Sequence, residues 1–132
     1  MKKRKYNKLV RDRIPNILIR ENKVFKASRV NLSAFRKALA NKLIEEFSEI
    51  SECVEWFEHL SEVEPISSSE CDQHLAKITE ELGDLLEVFI AILNTYNISA
   101  TTLLMATAAK REKFGKFDSR IFLEWVEDKK EK

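Results

Sequence analysis

Two stretches of the chain, 33–60 and 72–96, return an apolar residue every three or four positions. In the first, Phe35, Leu39, Leu43, Phe47, Ile50, Val54 and Phe57 form one stripe; in the second, Leu75, Ile78, Leu82, Leu85, Phe89, Ile92 and Tyr96 do. That recurrence marks an amphipathic helix, and two such stripes on one chain can bury each other. Only two Gly and two Pro occur in 132 residues, too few for a many-turned β fold. The expected fold is all-α: a helical bundle of four main helices with a short N-terminal helix, in a single domain over 1–132.

The punctuation between the stripes sets the expected boundaries. Asp12 reads as an N-cap and Pro15 suits a first helical turn, which predicts a short helix over about 13–21. Residues 24–30 are β-branched and basic and read as an extended connector. Asn31 or Ser33 can cap the first long helix. Pro65 and the run Ser67-Ser68-Ser69 predict a loop over 62–71 between antiparallel helices. Ser99 caps a further helix to about Lys113, and Gly115 ends it. The amphipathic 117–126 is expected to pack back on the body, and 127–132 reads as a disordered tail.

Into each long helix is set a pair of acids three residues apart. At 3.6 residues per turn, Glu46 falls about 40° from the centre of its stripe and Glu49 about 100°. On the second helix Glu81 falls about 70° from the centre and Asp84 about 130°. Four carboxylates near a helix–helix seam repel one another and resist desolvation, so something must neutralise them. A hard divalent cation such as Mg²⁺, with Mn²⁺ as a substitute, takes oxygen ligands of this kind and leaves positions for phosphate oxygens or water. The competing reading is a salt-bridged surface, in which Lys42 pairs with Glu46 and Lys77 with Glu81 at i,i+4 spacing. Gly83, costly inside a helix, reads either as a point of close approach or as a tolerated defect.

Basic residues gather at both ends. Lys8, Arg11 and Arg13 lie near the start; Lys110, Arg111, Lys113, Lys116 and Arg120 lie late, while the formal net charge is only +1. Cations suit a polyphosphate, although Lys110 and Lys113 also suit a helix C-terminus. His59 and His74 read as surface residues, and Trp56 and Trp125 as core or interface. Cys53 and Cys71 show no metal spacing and read as free thiols. With no apolar run long enough for a span or signal, the expected location is cytoplasmic, with neither nucleic acid nor membrane as partner.

The segments KLVRDRIP, KLIEEFSEI, EELGDLLEV and KREKFGKF running into RIFLEWV, in that order, resemble the MazG-like group of all-α nucleoside triphosphate pyrophosphohydrolases, over about 6–126. The resemblance implies Mg²⁺-dependent cleavage of a nucleoside triphosphate to the monophosphate and pyrophosphate, by a homodimer or homotetramer. It implies Glu46, Glu49, Glu81 and Asp84 as metal ligands and Glu45 as the residue orienting the attacking water. It matches Lys110 and Lys113 to triphosphate contacts, and Lys8, Arg11 and Asp12 to a motif suited to phosphate contact or helix capping. Phe114-Gly115-Lys116-Phe117 departs from the family pattern, usually Arg-Gly-Gly-Phe. That departure supports the alternative of a catalytically weakened helical module that binds nucleotide or a protein partner.

Overall fold

The structure, a computed structural model, describes residues 2–63 and 65–128. These form four α-helices and no strand: α1 (Ile14–Arg20), α2 (Leu32–Val63), α3 (Ser68–Thr95) and α4 (Ala100–Phe114). The expected all-α class holds. The count differs: the short N-terminal helix is one of the four, so three main helices stand where four were expected. The chain divides into two compact units, Met1–Asn97 and Ile98–Lys132.

In the first unit α2 and α3 pack as an antiparallel pair. The Arg36 guanidinium donates to the Thr95 carbonyl near one end, and Trp56 stacks with His74 near the other, so positions rising along α2 meet positions falling along α3. Asn31 is the cap of α2, its Oδ1 accepting from Ala34 N at 2.9 Å. The loop expected over 62–71 is much shorter. Ser67 caps α3 in a capping box with Glu70, each side chain bonding the other's backbone N–H. The serine run therefore starts a helix instead of prolonging a loop. α1 also starts later than expected: Arg13, not Asp12, is its N-cap residue and makes no side-chain cap bond. Ile14 N instead closes a turn on Arg11 O at 3.0 Å.

The interface between α2 and α3 is not centred on the apolar stripes. Leu39 and Val88 are the buried apolar residues among those described, and Glu46 and Glu81 are buried as deeply, at 6% and 5% exposure. Stripe residues Phe47, Val54, Leu75, Leu82 and Phe89 are exposed. Each helix has thus turned an acid-bearing face toward its neighbour and left much of its apolar arc open. Among the described residues, apart from its chain neighbours and its own helix's backbone, Gly83 has nothing within 4 Å of where a Cβ would lie.

In the second unit Ser99 caps α4, its hydroxyl accepting from Thr102 N at 3.1 Å. Gly115 ends the helix at φ 83°, a left-handed conformation suited to glycine. The amphipathic 117–126 has no helix, and Phe117, Ile121, Phe122 and Trp125 are exposed. Of the expected tail, 129–132 lie outside the described residues. No single helix among those described is long and apolar enough to cross a membrane.

Candidate metal centre

Because α2 and α3 run antiparallel, residues near the middle of each face one another. Glu46 of α2 meets Glu81 and Asp84 of α3, and one carboxylate oxygen from each of the three lies within 4.8 Å of the others. Glu49, one turn further along α2, lies close enough to Glu81 for the two carboxyls to perturb one another. Of the four acids singled out by sequence, Glu46, Glu81 and Asp84 therefore bring oxygens together across one interface, and Glu49 is not one of that triad.

The cations beside these acids leave some of their oxygens unpaired. Lys77 Nζ lies 2.5 Å from Glu81 Oε1, and Lys42 Nζ lies 3.3 Å from Glu46 Oε1. Both i,i+4 pairs of the salt-bridge reading form. Yet each lysine satisfies only one oxygen of its partner. Glu46 Oε2 and Glu81 Oε2 are buried with no hydrogen-bond partner. A buried unmatched polar atom costs about 1–3 kcal/mol, and more when charged. Two such atoms lie in one interface, beside the Asp84 carboxylate that Arg11 meets at 2.6 Å.

The acids respond to this crowding. The Glu49 carboxyl is pushed up to about 7, first by its hydrogen bond to Glu81, then by burial and by the charge on Glu46. Glu81 moves the other way, held below the usual carboxylate range chiefly by Lys77 and then by the hydrogen bond with Glu49.

The other expected site residues divide by unit. Lys8 Nζ lies 2.8 Å from Glu45 Oε1, and Arg11 Nη2 lies 2.6 Å from Asp84 Oδ1, so the N-terminal segment reaches the acids of both helices. Glu45 is also 3.4 Å from Lys42, and its carboxyl is held low, first by the hydrogen bond from Lys8. It stands outside the converging triad. Lys110 and Lys113 lie on α4 in the second unit, where Lys113 Nζ sits 5.0 Å over the Phe114 ring.

Sequence reasoning passed over one feature. A groove beside the acids is lined by Glu49, Glu52, Cys53, Trp56, His74, Lys77 and Glu81. Its far wall is the Trp56–His74 stack, with centroids 4.7 Å apart, and Phe57 meets the same imidazole edge-on at 5.5 Å. His74 is thus half-buried among aromatics instead of lying free on the surface. The antiparallel register that pairs Glu49 with Glu81 also pairs Trp56 with His74, and that register was the signal available.

An all-oxygen donor set of this kind suits a hard cation, and the unpartnered oxygens of Glu46 and Glu81 belong to two of its three residues. No protein-family model matches the chain, and no curated protein or solved structure matches it either.

Proposed function

We propose that the protein is a divalent-cation-dependent nucleoside triphosphate pyrophosphohydrolase, cleaving its substrate to the monophosphate and pyrophosphate. The observation that carries this reading is the pair of buried, unpartnered carboxylate oxygens on Glu46 and Glu81, next to Asp84. The MazG-like resemblance of the four motifs supplies the substrate class.

Glu46, Glu81 and Asp84 would hold the cation, with Glu49 joining them once it loses its proton. A bound Mg²⁺ supplies Lewis-acid polarisation of a phosphate oxygen and acidifies bound water. Glu45, kept anionic by Lys8 and Lys42, is suited to orient the attacking water by accepting a hydrogen bond from it. The water oxygen would form a bond to the α phosphorus as the bond from that phosphorus to the α–β bridging oxygen breaks; the bridging oxygen leaves on pyrophosphate and the water's proton passes to Glu45. Lys8 and Arg11, which pair with Glu45 and Asp84, would meet the developing phosphate charge.

A homodimer or homotetramer belongs to the same reading. Phe47, Leu82, Leu86 and Phe89 leave apolar surface exposed on the two long helices, and a second copy would bury it.

The decisive experiment incubates the protein with a panel of nucleoside triphosphates and Mg²⁺ and measures pyrophosphate. Glu46→Ala and Asp84→Ala should each lower the rate by about 100-fold or more, the scale on which loss of a metal ligand or its support acts. Full activity in either variant would overturn the ligand assignment. The altered Phe114–Phe117 run favours a second reading, a module that binds nucleotide without hydrolysing it. Calorimetric binding of nucleotide with no pyrophosphate release would select it.

A further inference from the structure

The N-terminal segment before α1 makes two ion pairs with the acid-bearing helices. Lys8 reaches Glu45 on α2 and Arg11 reaches Asp84 on α3. Residues three apart on one short basic segment thus bridge both walls of the candidate metal centre. Among the described residues, no backbone hydrogen bond ties 2–10 to either helix. The side chains of Lys8 and Arg11 are 43% and 61% exposed, so water competes for both pairs. Exposed pairs of this kind add little to stability and exchange readily.

Their position matters more than their strength. Asp84 is one of the three acids whose oxygens converge, and it is the most exposed of them. Glu46 and Glu81 take their partial neutralisation from Lys42 and Lys77, each on the same helix as its partner. Asp84 takes its from Arg11, on a segment outside the helices. A guanidinium and a hard cation seek the same carboxylate lone pairs and repel each other when close.

Resting on the metal-dependent reading above, we infer that Arg11 is an exchangeable counterion of the metal centre, holding Asp84 while the cation is absent and passing to the anionic ligand when the cation takes Asp84. The donor–acceptor chemistry is conserved through the exchange. Arg11 keeps a charge-assisted hydrogen bond to an oxyanion in both states, and Asp84 keeps a cation. The centre therefore avoids a bare third carboxylate before loading, and the guanidinium stands beside the site when a phosphate arrives. Arg11 is a positioning residue for the metal and a direct contact for the anion.

The two roles have opposite signatures. Calorimetric titration would use Mn²⁺ alone, and then inorganic triphosphate on the Mn²⁺-loaded protein. Arg11→Gln removes the competitor, so Mn²⁺ alone should bind about 3- to 10-fold more tightly, while triphosphate should bind about 10-fold more weakly, the scale of one charge-assisted hydrogen bond. Arg11→Lys, which keeps the charge without the fork, should fall between wild type and Arg11→Gln in both titrations. Arg4→Gln is the control, because Arg4 belongs to the same segment but lies over the Tyr6 ring at 5.0 Å. It should change neither affinity by more than about twofold, as expected of a remote screened charge. Unchanged or weaker Mn²⁺ binding in Arg11→Gln, or equal tightening in Arg4→Gln, would overturn the inference while leaving the metal centre standing. Absence of Mn²⁺ binding in the wild type would remove both.

Discussion

Glu46 and Glu81 occupy positions where a helix pair ordinarily places leucine. Each has one oxygen on a lysine and one with no partner, and crowding by the neighbouring acids raises the Glu49 carboxyl. Glu49 faces Glu81 from α3, with Glu45 and Glu46 on its own helix and Lys77 beyond Glu81. Its folded-state pKa, about 7, lies above the usual carboxylate value. Such a group favours folding below its unfolded pKa, and that contribution is lost as pH rises through about 7. Glu81, shifted down, contributes above its unfolded pKa and is already ionised across the neutral range. In EDTA the melting temperature should therefore fall between pH 5 and pH 8, and Glu49→Gln should flatten that slope. A thermal melt series at fixed ionic strength checks both. The identity of the four acids was legible from their spacing. Asp84 was placed about 130° from the stripe by helical geometry, yet its oxygen lies within 4.8 Å of the others, because the interface is not centred on the stripe.

At the scale of elements, local signals set most boundaries, and their energies can be tested one at a time. Ser67 both accepts from Glu70 N and receives the Glu70 carboxylate on its own N–H. Ser67→Ala should cost about 1 kcal/mol, the usual value of an N-cap. Gly83 has open space around it, so Gly83→Ala should stabilise the isolated chain by about 1 kcal/mol through helix propensity. Denaturant melts would read both changes. A loss of stability in Gly83→Ala would mean that another body approaches α3 there. The missed start of α3 has a plain cause. Ser-Ser-Ser has the composition of a loop, whereas the Ser67-x-x-Glu70 spacing has the geometry of a capping box, and geometry prevailed.

For the whole molecule, the balance of buried and exposed surface is the main physical fact. Among the described residues, the apolar side chains left open on α2 and α3 outnumber Leu39 and Val88 buried between them, and Phe47, Trp56 and Phe89 are larger than either. Sedimentation should find an oligomer, and the double variant Phe47→Asp, Phe89→Asp should shift it toward monomer with a lower melting temperature. Cation binding should add stability by mass action, about 2.7 kcal/mol at a concentration 100 times the dissociation constant. Asp84→Ala should abolish most of that gain, read as the Mg²⁺-dependent rise in melting temperature.

By itself the sequence determined the helical class, most helix boundaries and which four acids lie at neighbouring turns of two helices. Periodicity and capping act within a few residues, so they can be read from a few residues. Tertiary structure alone decided how each helix is rotated toward its neighbour, which acid oxygens are left without partners, and that Arg11 and Lys8 lie against those acids. The helical repeat fixes angles between residues on one helix. It says nothing of the rotation of one helix about its axis relative to another, which depends on contacts between residues far apart in the chain.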